Sequence, residues 1–383
     1  MNKKPHILIA PNAFKHGLDA PQAAEAIARG FVQSRLDCTT TCFPIGDGGD
    51  GTCELIHTAL NGRFVRHTVR DPLGRPIETG FSLVHSGRTA VIEMADVSGI
   101  RLLESDELNP MRTSSYGTGE LIRHALDENV DEIVIGMGGS ATVDGGCGIL
   151  EALGVRFLDA SGEELGSYPE ALSHLHDFDL SQLDERLTSC RITILCDVDN
   201  PLLGSEGAAA VFGPQKGASE TNVAQLDNFL GKLSSLALQK TGRSMAEVPR
   251  GGTAGGAAAG LFALAHANLV QGIDFFLEMT GFDRVLDTAD WLVTGEGSLD
   301  SQTLGGKGPM GVARRAKSRN IPVIGLGGKL PLTPARPLLD AFDVLLPIGN
   351  GPTPLQQALA DTEANLHRTA QAIGNLIASA HER

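Results

Sequence analysis

Short apolar segments alternate with glycine-rich loops and amphipathic segments at both ends of the chain. His6 to Ala10 and Thr39 to Ile45 are apolar enough to form strands, and three similar segments begin at Trp291, Pro322 and Phe342. Strands that are apolar along their whole length are typical of a parallel sheet covered on both faces. The pattern predicts a Rossmann-like parallel sheet that is assembled from both ends of the chain.

Between these predicted strands lie segments in which apolar residues recur at helical spacing. Asp19 and Pro21 stand where a helix would begin, and Ala24, Ile27 and Phe31 follow at helical intervals. Near the other end, apolar residues from 355 to 377 form one stripe, which predicts a single long helix that ends the chain. This rhythm of strand, loop and helix favours the α/β class.

The middle of the chain has a different pattern of apolar and polar residues. Phe64 to Ile92 alternates between apolar and polar residues, as antiparallel strands do, and Asp71 to Pro76 reads as the turn between two of them. Helices and strands then follow in mixed order. We therefore predict two α/β domains: a discontinuous, doubly wound domain of residues 1–63 and 287–383, and an inserted mixed α/β domain of residues 64–286.

Charge and composition exclude several classes of partner. The formal net charge is −15, without a basic run, which disfavours nucleic acid. Only 17 of the 383 residues are aromatic, too few for a surface that stacks single-stranded bases. Glycine is abundant at 47 residues, about twice the usual share of about 7 per cent, so many turns and special loops are expected.

Cysteine usage and hydropathy indicate a soluble, cytoplasmic protein. The six cysteines form no CxxC pair, which fits reduced thiols. The N-terminal apolar run, Ile7 to Ala10, is too short for a secretion signal, and the best candidate for a membrane span, Ala254 to Ala265, is 12 residues long. We expect no membrane partner.

Charged residues follow the first two strands. Lys15 lies after the first strand, and Asp47 and Asp50 follow the second in the segment GDGGDGT. Ligands of open α/β sheets bind beyond the carboxyl ends of strands. Two carboxylates at this spacing can hold Mg²⁺, although the segment taken alone slightly favours an Asp-Gly turn with Asp50 as the cap of the next helix.

A glycine-rich loop, GMGGSATVDGGCG, follows a strand at residues 132–135. Gly136, Gly138 and Ala141 match the GxGxxG/A pattern of dinucleotide sites, and Asp159 has the expected acidic position about 20 residues later. The glycines at 145, 146 and 148 interrupt the helix that such a site needs. The loop still offers amides and hydroxyls to a phosphate or a substrate carboxylate. From this segment we select Gly138, Gly139, Ser140 and Asp144.

Three later loops carry further candidates. DVDN places Asp197 and Asp199 directly after the strand at residues 191–196, and Lys216 lies between glycines in VFGPQKGA. The segment GEGSLDSQTLGGKGP adds four chemically different side chains, which are Glu296, Asp300, Thr303 and Lys307. A P-loop, a protein-kinase motif set, an HExxH motif and a GxSxG motif are absent from the sequence, so base catalysis falls to a carboxylate. Glycine-rich loops, carboxylates and lysines together suit phosphoryl transfer.

The chain resembles the bacterial glycerate kinase family over essentially its whole length. Nine segments carry the resemblance: APNAFKHGLDA, GDGGDGT, AVIEMADVSGI, NPMRTSSYGTGELI, GMGGSATVDGG, DVDNPLLG, VFGPQKGA, GEGSLDSQTLGGKGP and GNGPTPLQQAL. The resemblance implies ATP-dependent phosphorylation of D-glycerate, usually at the 2-hydroxyl. It also implies a flavodoxin-like domain with an inserted domain of restriction-enzyme-like fold. Asn12, Ala13 and His16 depart from the usual family pattern, which leaves their roles open.

The hypothesis that follows assigns a role to each candidate. Asp197 accepts the hydroxyl proton, with Asp47 as the second choice, and Lys15 and Lys307 offset phosphate charge. Gly138, Gly139, Ser140, Asp144, Lys216 and Thr303 contact phosphate or substrate, and Glu296, Asp300 and Asp199 hold Mg²⁺. Two alternatives stay open, an NAD-linked oxidoreductase acting on a small hydroxy acid and a non-catalytic protein that binds small anions. The 2- or 3-hydroxyl, the range of hydroxy acids and the homo-oligomeric state are not fixed by the sequence.

Overall fold

The computed structural model describes residues 4–300, 303 and 308–381. Their strands are β1 His6–Ile9, β2 Thr39–Cys42, β3 Arg63–Arg70, β4 Pro76–Val84, β5 Thr89–Glu93, β6 Glu132–Gly136, β7 Arg156–Leu158, β8 Glu164–Leu165, β9 Asp177–Asp179, β10 Arg191–Cys196, β11 Asn268–Gln271, β12 Trp291–Ser298, β13 Val323–Lys329 and β14 Val344–Pro347. Their α-helices are α1 Ala20–Val32, α2 Thr52–Ala59, α3 Ala95–Ser98, α4 Tyr116–Asp127, α5 Cys147–Ala152, α6 Pro169–Leu172, α7 Ala208–Phe212, α8 Glu220–Thr241, α9 Ala257–Leu264, α10 Gly272–Met279, α11 Phe282–Leu286, α12 Gly308–Lys317, α13 Arg336–Ala341, α14 Leu355–Ala360 and α15 Thr362–His381. Two compact units contain these elements: the first unit is Met1–Asp47 with Ile273–Arg383, and the second unit is Gly48–Gly272.

The first unit contains a parallel sheet with the strand order β14-β13-β12-β1-β2. Counted within the unit, this is the flavodoxin-like order 2-1-3-4-5, in which the direction of winding reverses between β1 and β12. The predicted parallel sheet that is built from both ends of the chain is confirmed.

Helix α1 begins where the sequence predicted. Asp19 is its N-cap, and the carboxylate accepts the backbone N–H of Gln22 at 2.8 Å while the Gln22 side chain accepts the N–H of Asp19, which completes a capping box. The prediction of one long terminal helix was wrong. The helix is interrupted at Asp361, between α14 and α15, and Leu355 is 75% exposed, so only the residues from Leu366 onward form the buried stripe.

The second unit contains a mixed sheet with the order β11-β10-β6-β5-β4-β3. Strands β3, β4 and β5 are antiparallel, as the alternation predicted, and β5, β6, β10 and β11 are parallel. The turn between β3 and β4 is held by Asp71, whose carboxylate accepts the backbone N–H groups of Leu73 and Arg75, each at 2.8 Å. Strands β7, β8 and β9 form a separate antiparallel sheet.

The boundaries of the two units differ from the domain boundaries predicted from sequence. The predicted domains were residues 1–63 with 287–383, and residues 64–286. Helix α2 belongs to the second unit because the backbone N–H of Cys53 bonds to the Glu93 carboxylate of β5 at 3.0 Å. Phe276 and Phe282 belong to the first unit, where their rings pack edge-on against Phe43. The predicted domain division therefore stays a prediction. Among the described helices, none is both long enough and apolar enough to cross a membrane.

Candidate functional site

The carboxyl ends of β1 and β12 meet at the point where the first unit's sheet reverses its winding. The backbone N–H of Ala10 bonds to Val293 O at 2.8 Å, and the N–H of Asn12 bonds to Gly295 O at 2.9 Å. The chain after β1 is thereby held beside Glu296. Ligands of open α/β sheets bind at this kind of reversal, so the sheet order favours a ligand site here.

Glu296, near the end of β12, forms one hydrogen-bonded group with Asp300 and Thr303, which follow that strand. Glu296 is 8% exposed, and its Oε1 accepts the Thr303 hydroxyl at 2.7 Å. The backbone N–H of Asp300 donates to Thr303 Oγ1 at 3.1 Å, and Ser298 Oγ donates to the Asp300 carboxylate at 2.8 Å. The structure thus brings together three of the predicted candidates. Lys307, the fourth candidate in this loop, lies outside the described residues.

Asp47 lies at the same edge of the first unit's sheet. Its Oδ2 accepts a hydrogen bond from the Asn12 side-chain amide at 2.9 Å and lies 3.5 Å from the backbone N–H of Gly308, the first residue of α12. Asn12 Oδ1 in turn accepts the N–H of Ala13 at 2.8 Å. Asn12 is therefore a candidate site residue whose role was left open by its departure from the family pattern.

Lys15 lies in a tight turn after β1. Phe14 and Leu18 exchange backbone hydrogen bonds at 2.9 and 3.0 Å across this turn, and Lys15 itself is exposed. A Cβ on Gly297 would lie 3.5 Å from Lys15 N, so the turn packs beside the end of β12. Lys15 is thus in the neighbourhood of Glu296, within one unit.

The glycine-rich loop after β6 belongs to the second unit and is mostly buried. A Cβ on Gly138 would lie 2.5 Å from both Asp50 N and Gly49 Cα, so the backbones of two loops touch there. Gly139 is exposed and has a φ of +67°. The next regular helix, α5, begins only at Cys147, which counts against the NAD alternative because a dinucleotide loop leads directly into its helix.

Asp144 anchors this loop from inside. It is 0% exposed, and its carboxylate accepts bonds from Ser115 N and Oγ, at 2.9 and 2.7 Å, and from the backbone N–H groups of Gly146 and Gly148. These four bonds fix the start of α5. The predicted contact of Asp144 with a ligand stays a prediction.

Lys216 also bonds to the loop from its buried side. The side chain is 3% exposed, and Nζ donates to Ser140 Oγ at 2.9 Å and to Thr142 O at 2.7 Å. Burial lowers the pKa of Lys216 to about 7, although the Asp144 carboxylate acts in the opposite direction. The structure therefore brings Lys216, Ser140 and Asp144 together around the loop.

Asp197 and Asp199 follow β10 in the second unit. Leu195 of β10 pairs with Gly136 of β6, so the chain after β10 leaves the sheet at the same edge as the glycine-rich loop. Asp197 is half-buried, and Asp199 forms an ion pair of 2.9 Å with Arg250. These two carboxylates belong to a different unit from Glu296 and Asp300.

A pocket in the second unit is lined by side chains that were not among the sequence candidates, including Glu93 and Arg101. Glu93 is 5% exposed, and burial raises the pKa of its carboxyl group to about 8. At the rim, Arg101 pairs with Asp50 at 3.1 Å and also with Asp96. The sequence signal for this site is an acidic residue in the otherwise apolar strand TAVIE, and it was missed. Asp50 is not the cap of α2, since Gly51 holds that position.

Mg²⁺ is compatible with the end of β12 and the loop that follows it. Among the described residues, no group of three or more His, Cys, Asp or Glu side chains is arranged to hold a metal ion. Mg²⁺ needs fewer protein ligands, because it commonly keeps waters and binds phosphate oxygens beside one or two carboxylates. Glu296 and Asp300, joined through Thr303, meet that requirement.

Comparisons with known proteins agree over nearly the whole chain. The model of the Glycerate kinase family matches residues 7–378. The chain is 43% identical over 367 residues to the glycerate kinase of Bacillus subtilis (strain 168), covering 96% of each chain. It is 41% identical over 324 residues to the glycerate 2-kinase of Escherichia coli (strain K12), covering 85% of each.

A solved structure agrees with these relatives. The crystal structure of a Salmonella typhimurium LT2 protein assigned as glycerate kinase 2 matches the model with a TM-score of 0.84 and 39% identity, covering 100% of both chains. The relatives named glycerate kinase and glycerate 2-kinase are phosphotransferases that act on an alcohol group. The chain belongs to the glycerate kinase family.

Proposed function

We propose that the protein transfers the γ-phosphoryl group of ATP to the 2-hydroxyl of D-glycerate, giving 2-phospho-D-glycerate and ADP. The observation that carries this proposal is the family match over residues 7–378. The relative named glycerate 2-kinase supports the choice of hydroxyl. We place the reaction in the cytoplasm, where ATP is available, and leave the oligomeric state open.

Asp197 accepts the proton of the 2-hydroxyl in this mechanism, and Asp47 is the second choice for this role. The glycerate oxygen forms a bond to the γ-phosphorus while the bond from that phosphorus to the β,γ-bridging oxygen breaks, and ADP leaves with the bonding electrons. Phosphoryl transfer depends mostly on position and charge, so the lysines matter at least as much as the base. Lys15 and Lys307 offset the charge of the phosphate oxygens.

Glu296 and Asp300 are our proposed ligands for Mg²⁺, with Asp199 as a third candidate. When bound, Mg²⁺ neutralises charge on the phosphate oxygens. Thr303 orients the Glu296 carboxylate through the hydrogen bond of 2.7 Å. The Arg250 partner of Asp199 competes with a metal ion for that carboxylate, which makes Asp199 the weakest of the three.

Gly138, Gly139, Ser140, Asp144 and Lys216 act as one phosphate-binding loop in the proposal. Gly139 is the exposed part of it, and the bonds of Lys216 and Asp144 hold its backbone in place. A rigid loop presents its amides without rearrangement, which favours binding of an anion.

The test is to identify the product. The purified chain is incubated with ATP, Mg²⁺ and D-glycerate, and the mixture is followed by phosphorus NMR, with L-glycerate and no acceptor as controls. We expect ADP and a single phosphomonoester whose coupling places phosphorus on carbon 2. A product phosphorylated on carbon 3 would correct the regiochemistry alone, and ADP release that is independent of D-glycerate would contradict the proposed function.

A further inference from the structure

Three aromatic rings form a stack in the second unit, where strands β3 and β4 meet helix α4. The imidazole of His67, on β3, is nearly parallel to the ring of Phe81, on β4, with the centroids 5.5 Å apart and the planes at 13°. The imidazole of His124, on α4, is stacked on the same His67 ring at a centroid distance of 3.9 Å and an angle of 10°. His67 thus joins the sheet to the helix, and the mechanism proposed above uses none of the three rings.

The stack lies at the border of the apolar contact between α4 and the sheet. Phe81 is paired with Val65, which is two residues from His67, so these three side chains share one face of the sheet. On the helix, Leu121 is 0% exposed and lies one turn before His124. The side chain of His124 is 37% exposed, so solvent and its protons reach the stack from the side of the helix.

The surroundings of His67 favour its neutral imidazole. Its Nε2 is buried and has no hydrogen-bond partner among the described residues. A protonated imidazole has an N–H donor on both ring nitrogens, so the charged form would bury a donor that has no acceptor. An unsatisfied buried donor is unfavourable, and more so when the group is charged.

His124 adds a second reason for His67 to remain neutral. Two positive charges on rings whose centroids are 3.9 Å apart repel each other more strongly at this border than in bulk water. Burial and the neighbouring His124 lower the pKa of His67 from its ordinary value of 6.5, although Glu128 and Asp127 act in the opposite direction. The closed stack therefore has room for one proton but not for two.

The carboxylates beside the stack are already paired. Asp127 Oδ2 lies 3.8 Å from His124 Nδ1, so the first proton has a carboxylate beside it. Asp127 also pairs with Arg186 at 2.7 Å, and Glu128 pairs with Arg63 at 3.1 Å. Neither carboxylate is free to offset a second charge in the stack. The remaining titratable groups of β3, β4 and α4 are Arg66, Arg70, Glu78, Tyr116, Glu120 and Arg123.

We propose that the stack of Phe81, His67 and His124 is an acid-sensitive latch, which holds α4 on the sheet while His67 is neutral and releases the helix when His67 is protonated. Release lets water accept the hydrogen bond of Nε2 and separates the two imidazoles. Helix α4 begins directly after Ser115, which bonds to Asp144 of the glycine-rich loop, so the latch holds an element on which that loop depends. The inference does not depend on the proposed function.

The latch makes the local stability of α4 fall as the pH falls. When the helix is released, the His67 ring is in water and titrates near its ordinary pKa of 6.5, whereas in the closed stack the pKa is lower. Between these two values the released state binds more protons than the closed state, so the free energy of opening decreases with decreasing pH. Above about pH 7 the ring is neutral in both states and the latch is closed.

Hydrogen exchange of the full chain, followed by mass spectrometry at pH 7.5 and pH 5.5, tests the latch after correction for the intrinsic exchange rate. Peptides from β3 and α4 report local opening, and peptides from α8, which has no residue in the stack, are the reference within the same unit. For the wild type we expect acid to accelerate exchange in α4 about tenfold relative to α8, which is within the range for coupled residues in contact. Protection should return when the pH is restored to 7.5.

Three variants separate titration from packing. His67→Phe keeps an aromatic ring in the stack and cannot be protonated, so we expect α4 to lose its acid response. His124→Phe removes only the neighbouring charge, and its response should be intermediate, because Nε2 of His67 still has no acceptor. His174→Phe, at an exposed histidine of the second unit outside the stack, is the matched control and should respond like the wild type. A purely structural role of the rings would change exchange equally at both pH values.

Two results would overturn the inference. One is a wild type in which acid accelerates exchange in α4 no more than in α8, and the other is a folded His67→Phe that keeps the full wild-type response. Circular dichroism at pH 7.5 shows whether each variant is folded. If His67→Phe does not fold, His124→Phe decides instead, and an acid response of His124→Phe equal to that of the wild type overturns the latch.

Discussion

The side-chain amide of Asn12 donates a hydrogen bond of 2.9 Å to the carboxylate of Asp47. The two residues follow β1 and β2, which are neighbours in a parallel sheet, so their loops leave the sheet at the same edge. The bond fixes the direction of one carboxylate oxygen of Asp47, while the backbone of Asn12 is tied to Gly295. Asn12 thus links Asp47 to the strand that ends at the proposed magnesium ligands.

Loss of this bond is expected to lower turnover more than binding. Asn12→Ala removes one hydrogen bond to the Asp47 carboxylate, and we expect kcat to fall about tenfold with the KM for ATP little changed, because misplacement of a group at the reacting centre raises the barrier. Steady-state kinetics measure both parameters. Asn375→Ala, which removes an acceptor for Arg35 N in the same unit, serves as the control. Unchanged kcat in Asn12→Ala would show that the hydrogen bond from Asn12 to Asp47 has no part in the reaction.

Asp197→Asn tests the proposed base. We expect kcat to fall about 100- to 1,000-fold, as for loss of a group that acts in the transition state, with the thermal unfolding temperature close to that of the wild type. Asp131→Asn, at an exposed carboxylate paired with Arg88, is the matched control and should keep full activity. Near-normal turnover of Asp197→Asn would move the role of base to Asp47, which Asp47→Asn then tests in the same assay.

Much of the fold follows from local sequence patterns. The buried strand β10 is predicted from Arg191 to Cys196 and found there, because an apolar run with a loop signal at Asp197 fixes both its type and its end. Helix α1 is equally local, since its cap residue Asp19 and Gln22 are three residues apart. The flavodoxin-like strand order 2-1-3-4-5 is implied by the resemblance to the glycerate kinase family rather than by these patterns.

The details of the site depend on contacts between distant residues. The hydrogen bond between Asn12 and Asp47 joins residues 35 positions apart, and no local sequence pattern predicts it. Lys216 was selected from its glycine-flanked loop as a phosphate contact, but its burial depends on bonds from its ammonium group to the loop after β6, 74 and 76 positions away. Glu93 gave one local signal, its place in a buried strand, but the depth of its burial depends on α2.

Gly138→Ala tests the close approach of two loops in the second unit. The added Cβ would meet the backbone of Gly49 and Asp50 at 2.5 Å, so one loop has to move, and we expect a loss of about 1–3 kcal/mol in the free energy of unfolding. Gly231→Ala in α8 is the control, because its nearest neighbour is Leu203 Cδ1 at 3.9 Å. We expect the free energy of unfolding of Gly231→Ala to increase by about 0.5–1 kcal/mol. Equal denaturant midpoints for the two variants would contradict the contact.

Lys216→Met tests whether the buried lysine makes stability depend on pH. The pKa of Lys216 is about 7 in the folded chain, below its ordinary value of 10.5. Between these two values the unfolded chain binds more protons at this side chain than the folded chain does, so the free energy of unfolding rises with pH across that window. Below pH 7 both states are protonated, and the full cost of the buried charge is present.

The methionine variant lacks this titration, so the unfolding temperature of the wild type should rise relative to that of Lys216→Met as the pH is raised from 6 to 9. Differential scanning calorimetry at fixed ionic strength measures the difference. Lys232→Met, in α8 of the same unit and outside the loop contacts, controls for the loss of a lysine. A difference that stays constant over this range would mean that the folded chain keeps Lys216 charged, and Nζ would then act on Ser140 and Thr142 as a permanent cation.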